Sequence, residues 1–245
     1  MNDFDAAWRA RFERFGQTYA EEHAVSGWSA EGLARRFRLF GRVLASLPLP
    51  ERADVLELGC GAGTYVRYLA GLGHSVVGVD YARPSLARAV EADPGRKGRY
   101  IAADGYDLPF RSGSFDLVVC IGVLQASGGP ERILDEIARI ARPGGFVLIE
   151  ALNGLELPSM ARRLVDRIGG RPPRLHAYPP SRVRGWLEAR GTRLVQLVKV
   201  FLPPREWPWL GRLLDVPLVR SLLERVPPAG FLGAHAFWFI GRKTA

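Results

Sequence analysis

Hydrophobic positions in the first fifth of the chain recur at helical spacing. Phe4, Trp8, Phe12, Phe15 and Tyr19 lie three and four apart, and after a break at Ser26-Gly27 the same spacing returns with Leu33, Phe37, Phe40 and Leu44. This predicts helices over 4–46, closed by Pro48 and Pro50. The period then changes. Short β-branched runs at 54–58, 75–79, 99–103, 115–121 and 145–150 alternate with helical stretches up to about residue 151. Parallel neighbours require a crossover connection, so the alternation predicts βαβ units and a parallel sheet. Beyond 151 the pattern is broken by proline, with 11 of the 18 prolines and four of the six tryptophans in this last part. It predicts helices near 155–168 and 180–190, a strand at 192–201, a helical pair near 206–226 interrupted by Pro217, and a last strand at 234–241. The long insertion between those strands is where a substrate lid would be placed.

The organisation expected is a helical cap over 1–50, an α/β core over 51–151, and a segment 152–245 that completes the sheet and carries the lid, all in one structural domain. With 245 residues, 47% of them hydrophobic, the chain can bury a sizeable core and is not disordered in bulk. No apolar stretch reaches the ~18 residues needed to span a bilayer, and the start MNDFDAAWRA is acidic and polar where a signal peptide is basic and then apolar. A cytoplasmic protein is expected. Cys60 and Cys120 both fall in core runs, which speaks against a disulfide framework or a metal site.

The net charge of +9 is unevenly placed: residues 1–50 carry 7 basic and 6 acidic side chains, 51–150 carry 11 and 13, and 151–245 carry 16 and 6. Three readings of the basic end stay open. Arginines could simply solvate a proline-broken lid. Trp207, Trp209, Leu210, Leu213, Leu214, Leu218, Leu222 and Leu223 with Arg212, Arg220 and Arg225 could form an amphipathic patch in peripheral contact with anionic membrane. The same charge could face RNA, but no nucleic-acid-binding module is recognisable, and nucleic acid is not the expected partner.

The chemistry is carried by Val55-Leu56-Glu57-Leu58-Gly59-Cys60-Gly61-Ala62-Gly63-Thr64, a strand, a glycine loop and a helix start. Glycines let the backbone turn sharply and approach a ligand, and exposed amides at a helix start favour an electron-rich group. Alone this is weak, compatible with an empty turn or a dinucleotide site. Glu57 adds an acid inside a strand that should be apolar, Asp80 ends the second run 21 residues after Gly59, and Asp104 ends the third. Three acids at successive strand ends face one crevice.

Together VLELGCGAGTY, VVGVD, AADGYDLPF, SFDLVVCIGVLQ and RILDEIARIARPGGFVLIE resemble the ordered motifs of class I S-adenosylmethionine-dependent methyltransferases, in particular small-molecule, UbiE/UbiG-like domains, over residues 51–151 and more loosely over 178–201. The resemblance implies a Rossmann-like, doubly wound α/β sheet of seven mostly parallel strands with the last antiparallel, a helical N-terminal cap and a C-terminal lid insertion. It implies that Gly59, Cys60, Gly61 and Gly63 wrap the methionine part of S-adenosylmethionine with Glu57 orienting that loop. Asp80 would hold the ribose, Tyr81 would pack on the adenine, and Asp104 would take the adenine amine beside Gly105 and Tyr106. Ile121, Gly122 and Gln125 would form a floor under the reactive methyl, and Tyr19 would close over the cofactor.

Methyl transfer from a sulfonium needs mainly alignment and exclusion of water, and a general base only when the acceptor is a hydroxyl. Of the four histidines, His74 lies at a helix-to-strand corner with a structural role, and His23 and His235 could approach the active-site mouth or simply lie on the surface. His176, in RLHAYPPS, is the candidate base, although many relatives carry a histidine where this chain has Gln125. Val123-Leu124-Gln125-Ala126-Ser127 is uncharged, unlike the segments that grip nitrogen acceptors in relatives, and no catecholate metal set is expected. The activity expected is methylation of a small-molecule acceptor, foremost the hydroxyl of a metabolite or a lipophilic, quinone-like compound, by a monomer or homodimer. The alternatives are an RNA-modifying methyltransferase and a cofactor-binding scaffold without turnover.

Overall fold

The computed structural model describes residues 3–170, 174–202, 216, 219 and 227–244. Within them the short β-branched runs become strands β1 (Asp54–Leu58), β2 (Ser75–Asp80), β3 (Arg99–Ala102), β4 (Phe115–Cys120), β5 (Ala141–Leu152), β6 (Thr192–Val200) and β7 (Ala236–Lys243) of one sheet, ordered β3-β2-β1-β4-β5-β7-β6. Strands β1 to β5 pair in parallel, and β7 runs antiparallel to both its neighbours, β5 and β6. The helices are α1 (Asp3–Thr18), α2 (Glu22–Val25), α3 (Ala30–Ala45), α4 (Thr64–Gly71), α5 (Arg83–Glu91), α6 (Pro130–Ile140), α7 (Leu157–Ile168), α8 (Pro180–Glu188) and α9 (Pro227–Gly233). This is the expected seven-stranded sheet with an antiparallel last strand.

Alternation along the strands divides the core into two layers. In β4, Val118 and Cys120 face a cluster completed by Ile133, Leu134 and Ile137 of α6 and Val183 and Leu187 of α8. Leu117 and Val119 face the other layer, with Phe40 and Val43 of α3, Tyr65 and Leu69 of α4, and Trp238 of β7. Burial on both faces is why these runs are continuously apolar rather than alternating.

Two elements depart from the sequence pattern. Strand β5 starts at Ala141, four residues before its apolar run, because Ala141 pairs with Phe115 and a register shift then absorbs the Pro143-Gly144-Gly145 stretch. Helix α9 opens on Pro227-Pro228, which reads as a breaker, yet proline is tolerated in a first turn whose N–H groups have no helical partner. The helical pair expected at 206–226, with its tryptophans, lies outside the described residues.

Helices α1 and α2 belong to neither layer. The Arg88 Nε on α5 donates to the Gly16 carbonyl (3.3 Å), and Glu22 on α2 bonds both Thr64 and Arg67 at the start of α4. The cap thereby crosses the carboxyl ends of β1 to β4, the side of an open α/β sheet on which ligands bind.

Candidate active site

The loop after β1 is built by backbone geometry that only glycine adopts easily. Gly59 and Gly61 have φ of 74° and 50°, and a Cβ at Gly59 would collide with the Val123 side chain. The Gly59 and Cys60 amides both donate to the Val79 carbonyl, and the Gly61 amide donates to Asp80 Oδ2 (2.9 Å). The Ala82 amide holds the other oxygen of Asp80 at 2.9 Å. Burial raises the Asp80 pKa, opposed by these amide bonds. Glu57, beneath the loop, is 3% exposed, and its Oε2 has no partner. Desolvation pushes its carboxyl well above the usual range, reinforced by the nearby charge of Asp80 and opposed foremost by a bond from the Val66 amide.

These groups open into a crevice enclosing about 850 Å³, a figure that includes the part open to solvent. Gly59, Gly61, Asp80 and Tyr81 line one side, Asp104, Gly105 and Tyr106 another, and Ile121 and Gly122 the floor. Nine of the residues singled out in the sequence thus meet in one place. The others do not line it. Glu57 and Cys60 lie below, with the Cys60 thiol packed in the core and its pKa raised by burial. Gly63 faces the Tyr100 ring, and Tyr19 is 39% exposed against Phe15. Gln125 is buried in the 3-10 turn Leu124–Ala126, where its carbonyl accepts from the His176 amide. The His176 ring packs on Phe4 at 4.3 Å, and burial lowers its pKa.

The cap contributes crevice residues that the sequence pattern does not single out. On α1, Asp5 accepts from the Gly128 amide (2.7 Å) and from the Tyr106 hydroxyl (3.1 Å), which also meets Ser127 Oγ at 2.9 Å. One turn on, Arg9 pairs with Asp104 Oδ2 at 2.6 Å and lies 4.6 Å over the Tyr81 ring. Asp104 Oδ1 accepts from the Tyr106 amide at 3.0 Å, so both carboxylate oxygens already have partners. Helical periodicity marks the aromatic stripe of α1 and gives no signal for the charged residues between.

Trp28, between α2 and α3, presses on Gly122, where an added Cβ would lie 2.7 Å from its ring. The Arg36 guanidinium stacks 4.5 Å over Trp28 and forms a buried ion pair with Glu150 (2.8 Å), whose Oε1 also accepts from Trp238 Nε1. The floor of the crevice is therefore fixed through α3 to strands β5 and β7.

A methyltransferase domain family matches residues 56–149. The chain is 26% identical over 238 residues, 89% of its length and 98% of the other's, to the ubiquinone biosynthesis O-methyltransferase of Xanthomonas axonopodis pv. citri. It is 31% identical over 170 residues to the malonyl-[acyl-carrier protein] O-methyltransferase of Pseudescherichia vulneris, covering 69% of this chain and 61% of that one. In structure it resembles a chain from the complex between the Haloferax volcanii Trm112 methyltransferase activator and a methyltransferase, with a TM-score of 0.64 over 100% of this chain and 99% of that chain at 18% identity. With its sheet order, its glycine loop and the span of these matches, the chain belongs to the class I S-adenosylmethionine-dependent methyltransferases.

Proposed function

We propose that this methyltransferase acts on oxygen, and that its acceptor is the hydroxyl of a small lipophilic compound. The observation that carries the reading is the similarity along 98% of a relative named as an O-methyltransferase, in a chain whose crevice segment Val123–Ser127 bears no charge with which to grip a cationic nitrogen. The lipophilic character is supported by α7, whose Leu157, Met160, Leu164, Val165 and Ile168 are exposed along a helix that leaves the acceptor side of the sheet. Such a face, carrying Arg167, suits peripheral contact with an anionic membrane in which a lipophilic acceptor is dissolved. No helix among the described residues is long and apolar enough to cross a membrane.

The crevice fits the cofactor. The glycine loop leaves space that side chains would fill, and Glu57, buried beneath it with Oε2 unpartnered, sets a negative or polar group under the end where an ammonium would lie. In this reading Gly59 and Gly61 cradle the amino-acid end, Asp80 takes the ribose hydroxyls, Tyr81 flanks the adenine, and Asp104, Gly105 and Tyr106 close its edge. Ile121 and Gly122, pinned by Trp28, hold the reacting end away from water. S-adenosylmethionine supplies a methyl already activated on a sulfonium, so alignment is the larger part of what the chain must do.

Calorimetry with S-adenosylmethionine tests the site. Binding is expected, and Asp80→Ala should weaken it at least about tenfold, as loss of a charged hydrogen-bonding group of about 1.5–3 kcal/mol implies. Equal affinity in the variant would refute the ribose assignment. Transfer of labelled methyl to a panel of phenols, carboxylic acids and amines tests the acceptor class, and label in amines alone would exclude oxygen.

A further inference from the structure

One turn of the cap closes on the crevice, and it is held at both ends. Ser26-Gly27-Trp28 joins α2 to α3, and Ser26 and Trp28 both line the crevice. Before the turn, Glu22 bonds Thr64 and Arg67 at the start of α4, and the Trp28 amide donates back to the His23 carbonyl (2.7 Å). Gly27 takes a φ of 70°, and a Cβ there would lie 3.2 Å from the Phe15 ring, so α1 packs directly on the turn. After the turn, Ser29 caps α3 by accepting from the Gly32 amide at 3.0 Å.

The Trp28 ring is fixed as well. A Cβ on Gly122 would strike its edge at Cζ2, while one of its faces carries the Arg36 guanidinium at 4.5 Å. The Arg36 and Glu150 side chains are 3% and 0% exposed, Nε and Oε1 lie 2.8 Å apart, and Trp238 Nε1 donates to the same oxygen at 3.2 Å. A buried ion pair is a poor source of net stability beside apolar packing of the same volume. Its visible result here is position: it sets the guanidinium, and the guanidinium sets the indole. The Val123 side chain, in turn, fills the place that a Cβ on Gly59 would need. The two glycines that border the crevice floor are therefore each covered by a side chain, Gly59 by Val123 and Gly122 by Trp28.

We infer that Trp28 is the wall that limits the transferred group to a methyl, and that Arg36 and Glu150 position it. The inference rests on the cofactor placement proposed above, with the reacting end of S-adenosylmethionine at Ile121 and Gly122. A guanidinium already occupies one face of the ring, and its edge, the electropositive part of an aromatic ring, is turned to the floor. Its effect on a sulfonium is therefore steric and not a cation–π attraction. A methyl fits beside such a wall, whereas an added methylene has to be pushed into atoms that are already packed.

Two readouts test this without the acceptor. In calorimetry the wild type should bind S-adenosylethionine, one methylene larger at sulfur, about tenfold or more weaker than S-adenosylmethionine, the low end of what a methylene changes in a packed pocket. In Trp28→Ala the two affinities should come within about threefold of each other, because the larger analogue gains. In carbon NMR with S-adenosylmethionine labelled at the methyl carbon, the bound methyl resonance should move between wild type and Trp28→Leu, since an aromatic ring shifts a nucleus it touches. Trp28→Leu keeps an apolar side chain on Gly122 and serves both measurements should the alanine variant fail to fold. Arg36→Lys keeps a cation for Glu150 and loses the planar stack. It should lose part of the discrimination against the ethyl analogue, whereas a merely structural role would lower the Tm and leave the discrimination whole. Equal binding of the two compounds by the wild type, discrimination that survives in Trp28→Ala and Trp28→Leu, or an unmoved methyl resonance would each overturn the inference. No binding of S-adenosylmethionine by the wild type would instead fail the cofactor placement, and this inference with it.

Discussion

Asp104 commits one oxygen to the Tyr106 amide and the other to Arg9, so an adenine amine bound there has to share or displace the guanidinium. The two side chains are 25% and 44% exposed, and an ion pair so placed is worth no more than about 1 kcal/mol and is screened by salt. Arg9→Met should therefore tighten S-adenosylmethionine binding by up to about fivefold at low ionic strength. The advantage should vanish as salt rises, since the wild type loses its competitor too; calorimetry at two salt concentrations reads both effects. Glu57 poses the converse case. Its folded pKa is raised by burial, so the protonated form is favoured in the fold, and the stability this provides is lost as pH rises through the folded value. Glu57→Gln removes that cost and should raise the neutral-pH Tm by roughly 2–4 °C, the shift of about 1 kcal/mol in a chain of this size. It should at the same time weaken cofactor binding, a trade between stability and function. A variant that is both less stable and unchanged in affinity would contradict the placement of Glu57 under the loop.

Among the elements, the strands were the most legible. DVLEL, SVVGV and FDLVVCI are continuous apolar runs because both sheet faces are covered, and the strands they form match them to within a residue or so. The glycine loop was legible because its constraint is local: positive φ at Gly59 and Gly61 belongs to the turn itself. What could not be read was anything set by distant packing. Arg9 reaches Asp104 across 95 residues, and His235 meets Glu156 across 79. No period or short motif encodes such encounters. Helix α7 shows the same limit. Its pattern predicts a helix near 155–168 but does not say which residues are covered, and Val165 and Ile168 are 64% and 79% exposed. If that face meets lipid, anionic vesicles should retain the protein in a flotation assay, more at low than at high salt. Leu164→Glu should reduce retention several-fold without changing cofactor affinity. Equal retention by the variant would place the contact elsewhere.

For the whole molecule, the charge of +9 separates into a nearly neutral cofactor half and a basic last 95 residues, so salt acts on the two ends differently. Acid, by contrast, acts on the fold through a few carboxylates near the sheet. Asp93 accepts from the Lys97 and Gly98 amides (3.2 and 2.9 Å) and from the Tyr100 hydroxyl, closing the turn from α5 into β3. These bonds hold its pKa below the ordinary value despite the opposing effect of burial, while Glu136 is lowered foremost by its hydrogen bond with Arg139. A depressed folded pKa means that the stability is whole above the unfolded carboxylate range, about pH 4, and is lost as pH falls through the folded value. Glu57 and Asp80 have the opposite sign and partly offset this loss. Asp93→Asn removes the charge while keeping the shape, so its Tm at pH 7 should fall by roughly 3 °C or more, corresponding to about 1 kcal/mol or more. The wild-type and variant melting curves should then converge as the pH falls below the ordinary carboxylate range and through the lowered folded value of Asp93, where the wild type also loses its charge. Equal melting temperatures at pH 7 would show that the turn is held by its shape alone and that the carboxylate charge contributes nothing.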